Sequence, residues 1–211
     1  MLVDQRMSHR VISVPPEMSV PEAMALFRKN HIHRAPVIKD GKMLGIVSET
    51  DLLNASPSSV STLSVWEMNY MMSRVTVKQV MTKKVITVEI GTPIEDAARI
   101  MVEAKIGGMP VTRAGKIVGM ITETDLFKVF MELMGTHEKG VRVSVLAEDK
   151  PGQIARVSRL ISDAGGNFLG FGSFAGPDPS LTVITFKVTG IKKEDIKKVL
   201  GKDVKKILDI R

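Results

Sequence analysis

The chain has 211 residues, no cysteine, one tryptophan and a formal net charge of +7. That length holds one large domain or two small ones, and 44% hydrophobic with 25% charged residues is a globular balance rather than a disordered one. Without cysteine there are no disulfides, thiolate zinc sites or cysteine nucleophile; with no leader-type apolar core in MLVDQRMSHR and no run of about 18 apolar residues, a cytoplasmic protein without a membrane partner is expected.

In chain order, the first expected strand is VISV (11–14), entered from Val3, Gln5 and Met7. Val20, Ala23, Met24 and Phe27 then follow the i, i+3, i+4, i+7 spacing of a helix with one buried face. APVI (35–38) predicts a short strand with an edge-compatible proline. Asp40-Gly41 is a turn, and MLGIV is a second strand running into a helix start at SETDLL.

The same series returns 74 residues later. Residues 3–52 align with 77–126 without a gap, and 17 of the 50 positions are identical, against roughly 5–6% expected from composition. This is duplication. VITV (85–88), the helical set Ile94, Ala97, Ala98 and Met101, MPVT (109–112), the Ala114-Gly115 turn, IVGMI and TETDLF are the second copy. Each unit reads strand, helix, strand, turn, strand, helix, and two copies packed face to face would bury what one leaves exposed. The expected repeats cover 1–56 and 77–134. The linker, 57–76, is Ser/Pro-rich, then carries Leu63, Trp66, Tyr70 and Met71 at helical spacing; a short helix packing its aromatics across the repeats is expected.

From Gly140 the pattern changes, and 140–211 reads as a separate domain. VRVSVL is a strand, DKPG (149–152) a turn, and Gln153–Ala164 a helix closed by Gly165-Gly166-Asn167. FLGFGSFAG and LTVITFKV form a hairpin across PDP; a Lys-rich helix and the strand VKKILDI finish the chain. The order β-α-β-β-α-β is ferredoxin-like. Most of the charge excess lies here, +5 in 135–211 against +2 in 1–134. The lysines (192, 193, 197, 198, 202, 205 and 206) surround Ile196, Val199 and Leu200, as on a solvated helix face, and no aromatic stands among them. Nucleic acid is therefore not the expected partner.

The sharpest motifs are Ser48-Glu-Thr-Asp51 and Thr122-Glu-Thr-Asp125, each three residues after a glycine (Gly45, Gly119). A hydroxyl at the N-cap with an acid three residues on is a capping arrangement; a hydroxyl and a carboxylate at a helix start also suit a ribose. Both roles are compatible. His33-Arg34 precedes the APVI strand and is either a solvated loop or an anion contact; the second copy has Gly107-Gly108 there, so a phosphate clamp would be lopsided. His31 and His33 lack a third ligand at metal spacing, so no metal is expected. GFGSFA (170–175) matches a dinucleotide fingerprint in letters, but Pro177 and Pro179 forbid the helix it needs. Gly135–Gly140 has Val141 where a P-loop needs lysine. No acid, base and nucleophile set points to an enzyme. Asp149-Lys-Pro-Gly152 is either a simple turn or a small-anion site at a helix start, with Asp149 facing an ammonium.

These residues resemble known families. The repeated unit, with APV and MPV and the endings Ser48–Asp51 and Thr122–Asp125, resembles the cystathionine-beta-synthase (CBS) domain. Residues 140–211, with D-x-P-G and Gly-Gly-Asn167, resemble the ACT domain. The order CBS–CBS–ACT, including LSVWEMNY, resembles the acetoin-utilisation protein B family. The resemblance implies an α+β fold in which two CBS domains pack as a Bateman module ahead of a ferredoxin-like ACT domain. It implies a regulatory sensor, with no catalytic cofactor, for AMP, ADP, ATP or S-adenosylmethionine bound between the repeats. Ser48, Asp51, Thr122 and Asp125 would hold ribose, Val11 and Val85 would line adenine, and His33 and Arg34 would contact phosphate. Asp149, Gly152 and Asn167 would bind a small ligand such as an amino acid, or the ACT domain would serve dimerisation. A homodimer with a further protein partner is expected. The competing readings are a ligand-free interaction scaffold and a nucleic-acid-binding regulator acting through the Lys-rich helix.

Overall fold

The computed structural model describes residues 1–55 and 73–211, so the helix expected at 63–71 lies outside the described residues. The chain divides into two compact units, Met1–Leu126 and Phe127–Arg211.

In the first unit both repeats fold by the same local rules. Helix α1 (Val20–Asn30) starts at Ser19, whose backbone N–H donates to Glu22 Oε2 at 2.9 Å while the Glu22 N–H donates back to Ser19 Oγ. It ends at His31, in the left-handed region with φ 52°. Strands β1 (Arg34–Lys39) and β2 (Lys42–Ser48) pair antiparallel around Asp40-Gly41, both at positive φ, the geometry of a type I′ turn. Short helix α2 (Glu49–Asn54) follows, and α3 (Val77–Val80) opens the second repeat. There, two-residue β3 (Val88–Glu89), α4 (Ile94–Ala104), β4 (Gly108–Arg113), β5 (Lys116–Thr122) and α5 (Glu123–Leu133) repeat the plan, with a turn at Ala114-Gly115.

Two features differ from the sequence expectation. VISV and VITV do not form full strands: the first contributes one parallel bridge, Val14 to Val37, and the second only β3, parallel to β4. The repeats also exchange their leading segments. Val3 and Met7 are buried in the second repeat's core with Ala97, Met101, Met109 and Ile121. Val77 is buried in the first repeat's core with Phe27, Val37 and Leu52. Matching hydrogen bonds fasten both: Ser8 exchanges two with Met120 (2.8 and 3.0 Å), and Thr82 two with Ile46 (2.8 and 2.9 Å).

In the second unit, β6 (Val141–Glu148), α6 (Gln153–Asp163), β7 (Asn167–Ala175), β8 (Leu181–Thr189), α7 (Lys193–Leu200) and β9 (Lys206–Ile210) form an antiparallel sheet of order β7-β8-β6-β9, the expected ferredoxin-like arrangement. Val157 and Ile161 of α6 and Ile196 and Leu200 of α7 are buried with Val143, Val145, Ile184 and Phe186. The α7 lysines remain exposed, as a solvated face requires. GFGSFA lies within β7, not before a helix. The division between units falls inside α5, ahead of Gly140. Residues 133–135 pack on β7, where a Cβ on Gly170 would stand 2.5 Å from the Met134 carbonyl carbon, and Lys187 Nζ donates to the Gly135 carbonyl at 3.0 Å.

Candidate functional site

The exchange of leading segments builds a cavity in the first unit. Thr82 exchanges hydrogen bonds with Ile46 in an antiparallel bridge, which lays the leading segment of the second repeat against β2 of the first. The result is a cavity of about 400 Å³, within the usual range for small-molecule sites. One wall is Ile46, Ser48, Thr50 and Asp51 with Arg34; the other is Thr82, Lys84, Val85 and Ile86 with Lys105, Ile106, Gly107 and Gly108. Cavity-lining groups thus come from both repeats.

Ser48 is the N-cap of α2. Its N–H and Oγ–H donate to Asp51 Oδ2 at 2.8 and 2.6 Å, and the Asp51 N–H donates to Ser48 Oγ at 3.2 Å. The capping role read from the spacing is therefore present. It occupies Asp51 Oδ2 and leaves Oδ1 as the oxygen suited to a ligand hydroxyl. Opposite it, the backbone groups of 83–87 make no backbone hydrogen bond among the described residues, so their N–H and C=O groups suit the edge of a heterocycle.

Arg34, at the start of β1, aims its guanidinium at the second repeat. A Cβ on Gly107 would stand 2.5 Å from Nη2, and one on Gly108 would stand 2.8 Å from Nη1. Burial lowers the pKa of Arg34 and the Glu123 carboxylate acts in the opposite direction; a guanidinium stays charged throughout. His33 does not line this cavity: its ring is exposed and its Nδ1 lies 2.7 Å from Glu49 Oε2.

Arg34, Ser48, Asp51 and Val85 are therefore brought together. Thr122 and Asp125 repeat the capping bonds at α5, with the Thr122 N–H and Oγ–H donating to Asp125 Oδ2 at 3.0 and 2.7 Å. Val11 lies half-buried in the segment before the Val14 bridge. Thr50, Lys84, Ile86 and Lys105 were missed from sequence. Lys105 had a signal, being the residue that closes α4 in the left-handed region, but nothing local says that it faces the other repeat.

In the second unit a broad hollow of about 700 Å³ is lined by Asp149, Gly152, Gln153, Ser173 and Thr182 among others. Gly152 is the N-cap of α6 with φ 84°, a conformation that favours glycine. Asn167 is not part of it. It pairs with Thr189 at one end of β7, whereas Ala175 pairs with Thr182 at the other, some ~25 Å away at about 3.3 Å per residue. Among the described residues no group of three or more His, Asp or Glu could hold a metal ion, and no helix is long and apolar enough to cross a membrane.

Duplicated α+β units that exchange leading segments and line a shared cavity define a paired-repeat binding module. The CBS domain profile matches residues 3–58 and 77–132, over half of the chain, and the chain belongs to the CBS-domain family as a tandem pair. It is 28% identical over 135 residues to a CBS domain-containing protein of Dictyostelium discoideum, covering 63% of this chain and 93% of that one. It is 33% identical over 151 residues to inosine-5'-monophosphate dehydrogenase of Korarchaeum cryptofilum, covering 71% of this chain but only 29% of the enzyme. That match runs through the enzyme's CBS domains and carries no catalytic activity over. Among solved structures, the CBS domain pair of protein MJ0100 in complex with 5'-methylthioadenosine and S-adenosyl-L-methionine is 26% identical, with a TM-score of 0.52, over 62% of this chain and 95% of that one.

Proposed function

We propose that the chain is a regulatory sensor whose CBS pair binds an adenosine-containing ligand between the repeats. The carrying observation is the cavity that sets Ser48 and Asp51 of one repeat against the unpaired backbone around Val85 of the other. A ribose would sit on Asp51 Oδ1 and Ser48, adenine on the 84–86 wall, and Thr122 and Asp125 would serve the same end in the second repeat. The similar MJ0100 pair, with its two adenosyl compounds, supports the ligand class. A ligand that prefers one packing of the repeats shifts the equilibrium by its difference in affinity for the two states.

The second unit reads as an ACT-type domain, a small-ligand or dimerisation module. The hollow at Asp149 and Gly152 supports the first role; Asn167 of the same chain would not share it. A homodimer is the assembly we favour, supported by the exposed Phe127 and Phe130 on α5. The cytoplasm is the expected compartment, and acetoin utilisation the process that the family resemblance points to. Calorimetric titration of the full chain with AMP, ADP, ATP and S-adenosylmethionine tests the reading. Saturable binding that weakens in Asp51→Ala is expected; silence from folded protein favours the interaction scaffold.

A further inference from the structure

We propose that the second unit carries a small-anion site of its own, a cavity between the start of α6 and the turn after α7 in which Lys150, Arg156, Lys202 and Lys205 receive a multivalent anion of the phosphate class. The site lies wholly within Phe127–Arg211 and does not depend on the sensor reading.

The cavity has a volume of about 200 Å³, below the roughly 300–1,000 Å³ of most small-molecule sites, so it suits phosphate or diphosphate rather than a whole nucleotide. Its charged lining is Lys150, Arg156, Lys202 and Lys205 against Glu148 and Asp203, four cations to two carboxylates. The sequence neighbours Asp149 and Lys206 add one charge of each sign. Both carboxylates are already engaged: Glu148 bridges Lys150 and Lys205 at 2.6 and 2.8 Å, and Asp203 pairs with Arg156. Lys202 is exposed and forms no ion pair among the described residues. Exposed ion pairs contribute little, so a dianion can recruit the two lysines from Glu148 at small cost. The Arg156 guanidinium offers the planar fork that phosphate oxygens match.

Buried and backbone contacts hold these cations together. Gln153, only 5% exposed, lines the cavity and donates from Nε2 to the Asp203 carbonyl at 3.1 Å, tying the turn to the first residue of α6. The Lys205 N–H donates to the Leu146 carbonyl at 2.9 Å, and the Asp203 N–H to the Leu200 carbonyl at 2.9 Å. Lys202 and Lys205 therefore stand beside Lys150 and Arg156 before an anion arrives, and the site is preorganised. Like charges so placed repel one another, and a dianion among them relieves that repulsion. Among the described residues no aromatic lines the cavity, so stacking on a base is not part of the recognition.

Titration of the full chain with inorganic phosphate and with diphosphate, followed by backbone amide chemical shifts, tests the site residue by residue. Saturable shifts are expected at Lys150, Gln153, Arg156 and 202–205, with diphosphate the tighter ligand and both weakening as salt rises. Lys202→Ala and Lys205→Ala are each expected to weaken diphosphate binding by about three- to fivefold; both residues are exposed, so neither substitution reaches the core. Lys84→Ala, in the cavity of the first unit, and Lys193→Ala, on the exposed face of α7, are the controls and should leave that binding unchanged. A phosphoserine peptide in the same assay separates the sources of the ligand: binding tighter than that of phosphate at these amides means a phosphate carried on a protein, weaker binding a free anion, and either upholds the site. Shifts that rise without saturation, or that Lys193→Ala weakens as much as Lys202→Ala, overturn the proposal and reduce these lysines to a solvated charged face. Saturation confined to Arg34, Lys84 and Lys105 overturns it as well.

Discussion

The thioether of Met7 lies over Gly119: a Cβ on that glycine would stand 2.5 Å from Met7 Sδ and 2.9 Å from the Ser8 carbonyl oxygen. The relationship recurs with the repeats reversed, Met81 lying over Gly45 with 2.8 Å from the sulfur to a Cβ and 2.7 Å to the Thr82 carbonyl oxygen. Each glycine leaves room for the segment that the other repeat contributes. Gly119→Ala should therefore lower stability by about 1–3 kcal/mol through overpacking, and Gly45→Ala should behave alike. Chemical denaturation of the two variants checks this; wild-type midpoints in both would refute the close approach.

The acidic cap residues should separate structural from binding roles. Asp51→Ala and Asp125→Ala each remove the carboxylate that reaches back to the helix cap and should cost about 1 kcal/mol of stability. Asp51→Ala should in addition weaken adenosine binding, since Asp51 lines the cavity. Melting curves and titrations on the same preparations are needed. An Asp51→Ala protein that melts earlier but binds as wild type would make the motif a cap and nothing more.

Ala114 holds φ 50° at the position where the first repeat has Asp40. A non-glycine residue in the left-handed region costs roughly 1–2 kcal/mol, and Asn and Gly tolerate it better. Ala114→Asn is accordingly expected to stabilise the chain by about 0.5–1 kcal/mol, read as a higher urea midpoint with unchanged slope. A lower midpoint would show that the turn is not strained.

Glu148 of the second unit sits between Lys150 and Lys205, at 2.6 and 2.8 Å, and the hydrogen bond from Lys150 is the largest cause that brings its pKa down to about 2. A depressed carboxylate pKa stabilises the fold above the ordinary value of 4.5, and this contribution disappears as pH falls through about 2. The group is exposed, so salt should weaken the effect. Glu148→Gln should flatten the fall in melting temperature between those pH values, more visibly at low salt. An identical pH profile in the variant would mean that the ion pairs add nothing.

Much of the fold could be read locally. The Ser48 and Thr122 helix starts, the Asp40-Gly41 turn and the β-α-β-β-α-β order each depend on a few neighbouring residues, and each stands where the spacing predicts it. VISV was misread because valine and isoleucine alternate there, yet only Val14 finds a partner strand. The Ser48–Asp51 pair is legible as a helix cap for the same local reason. Lys84 belongs to no pattern, and the helix-closing position of Lys105 does not say which repeat it faces.

By itself the sequence determined the duplication, the amphipathic helices and hairpins of each copy and the hydroxyl–carboxylate pairs, because periodicity, caps and turns act over three to seven residues. Only the tertiary structure decided that Met7 serves the second core, that Val85 faces Ser48, that Arg34 rests on Gly107, and that Asn167 stands apart from Asp149. Two similar copies offer similar edges and similar apolar faces, so no local signal says which copy a segment joins. Burial of apolar surface and satisfaction of backbone hydrogen bonds across long separations make that choice.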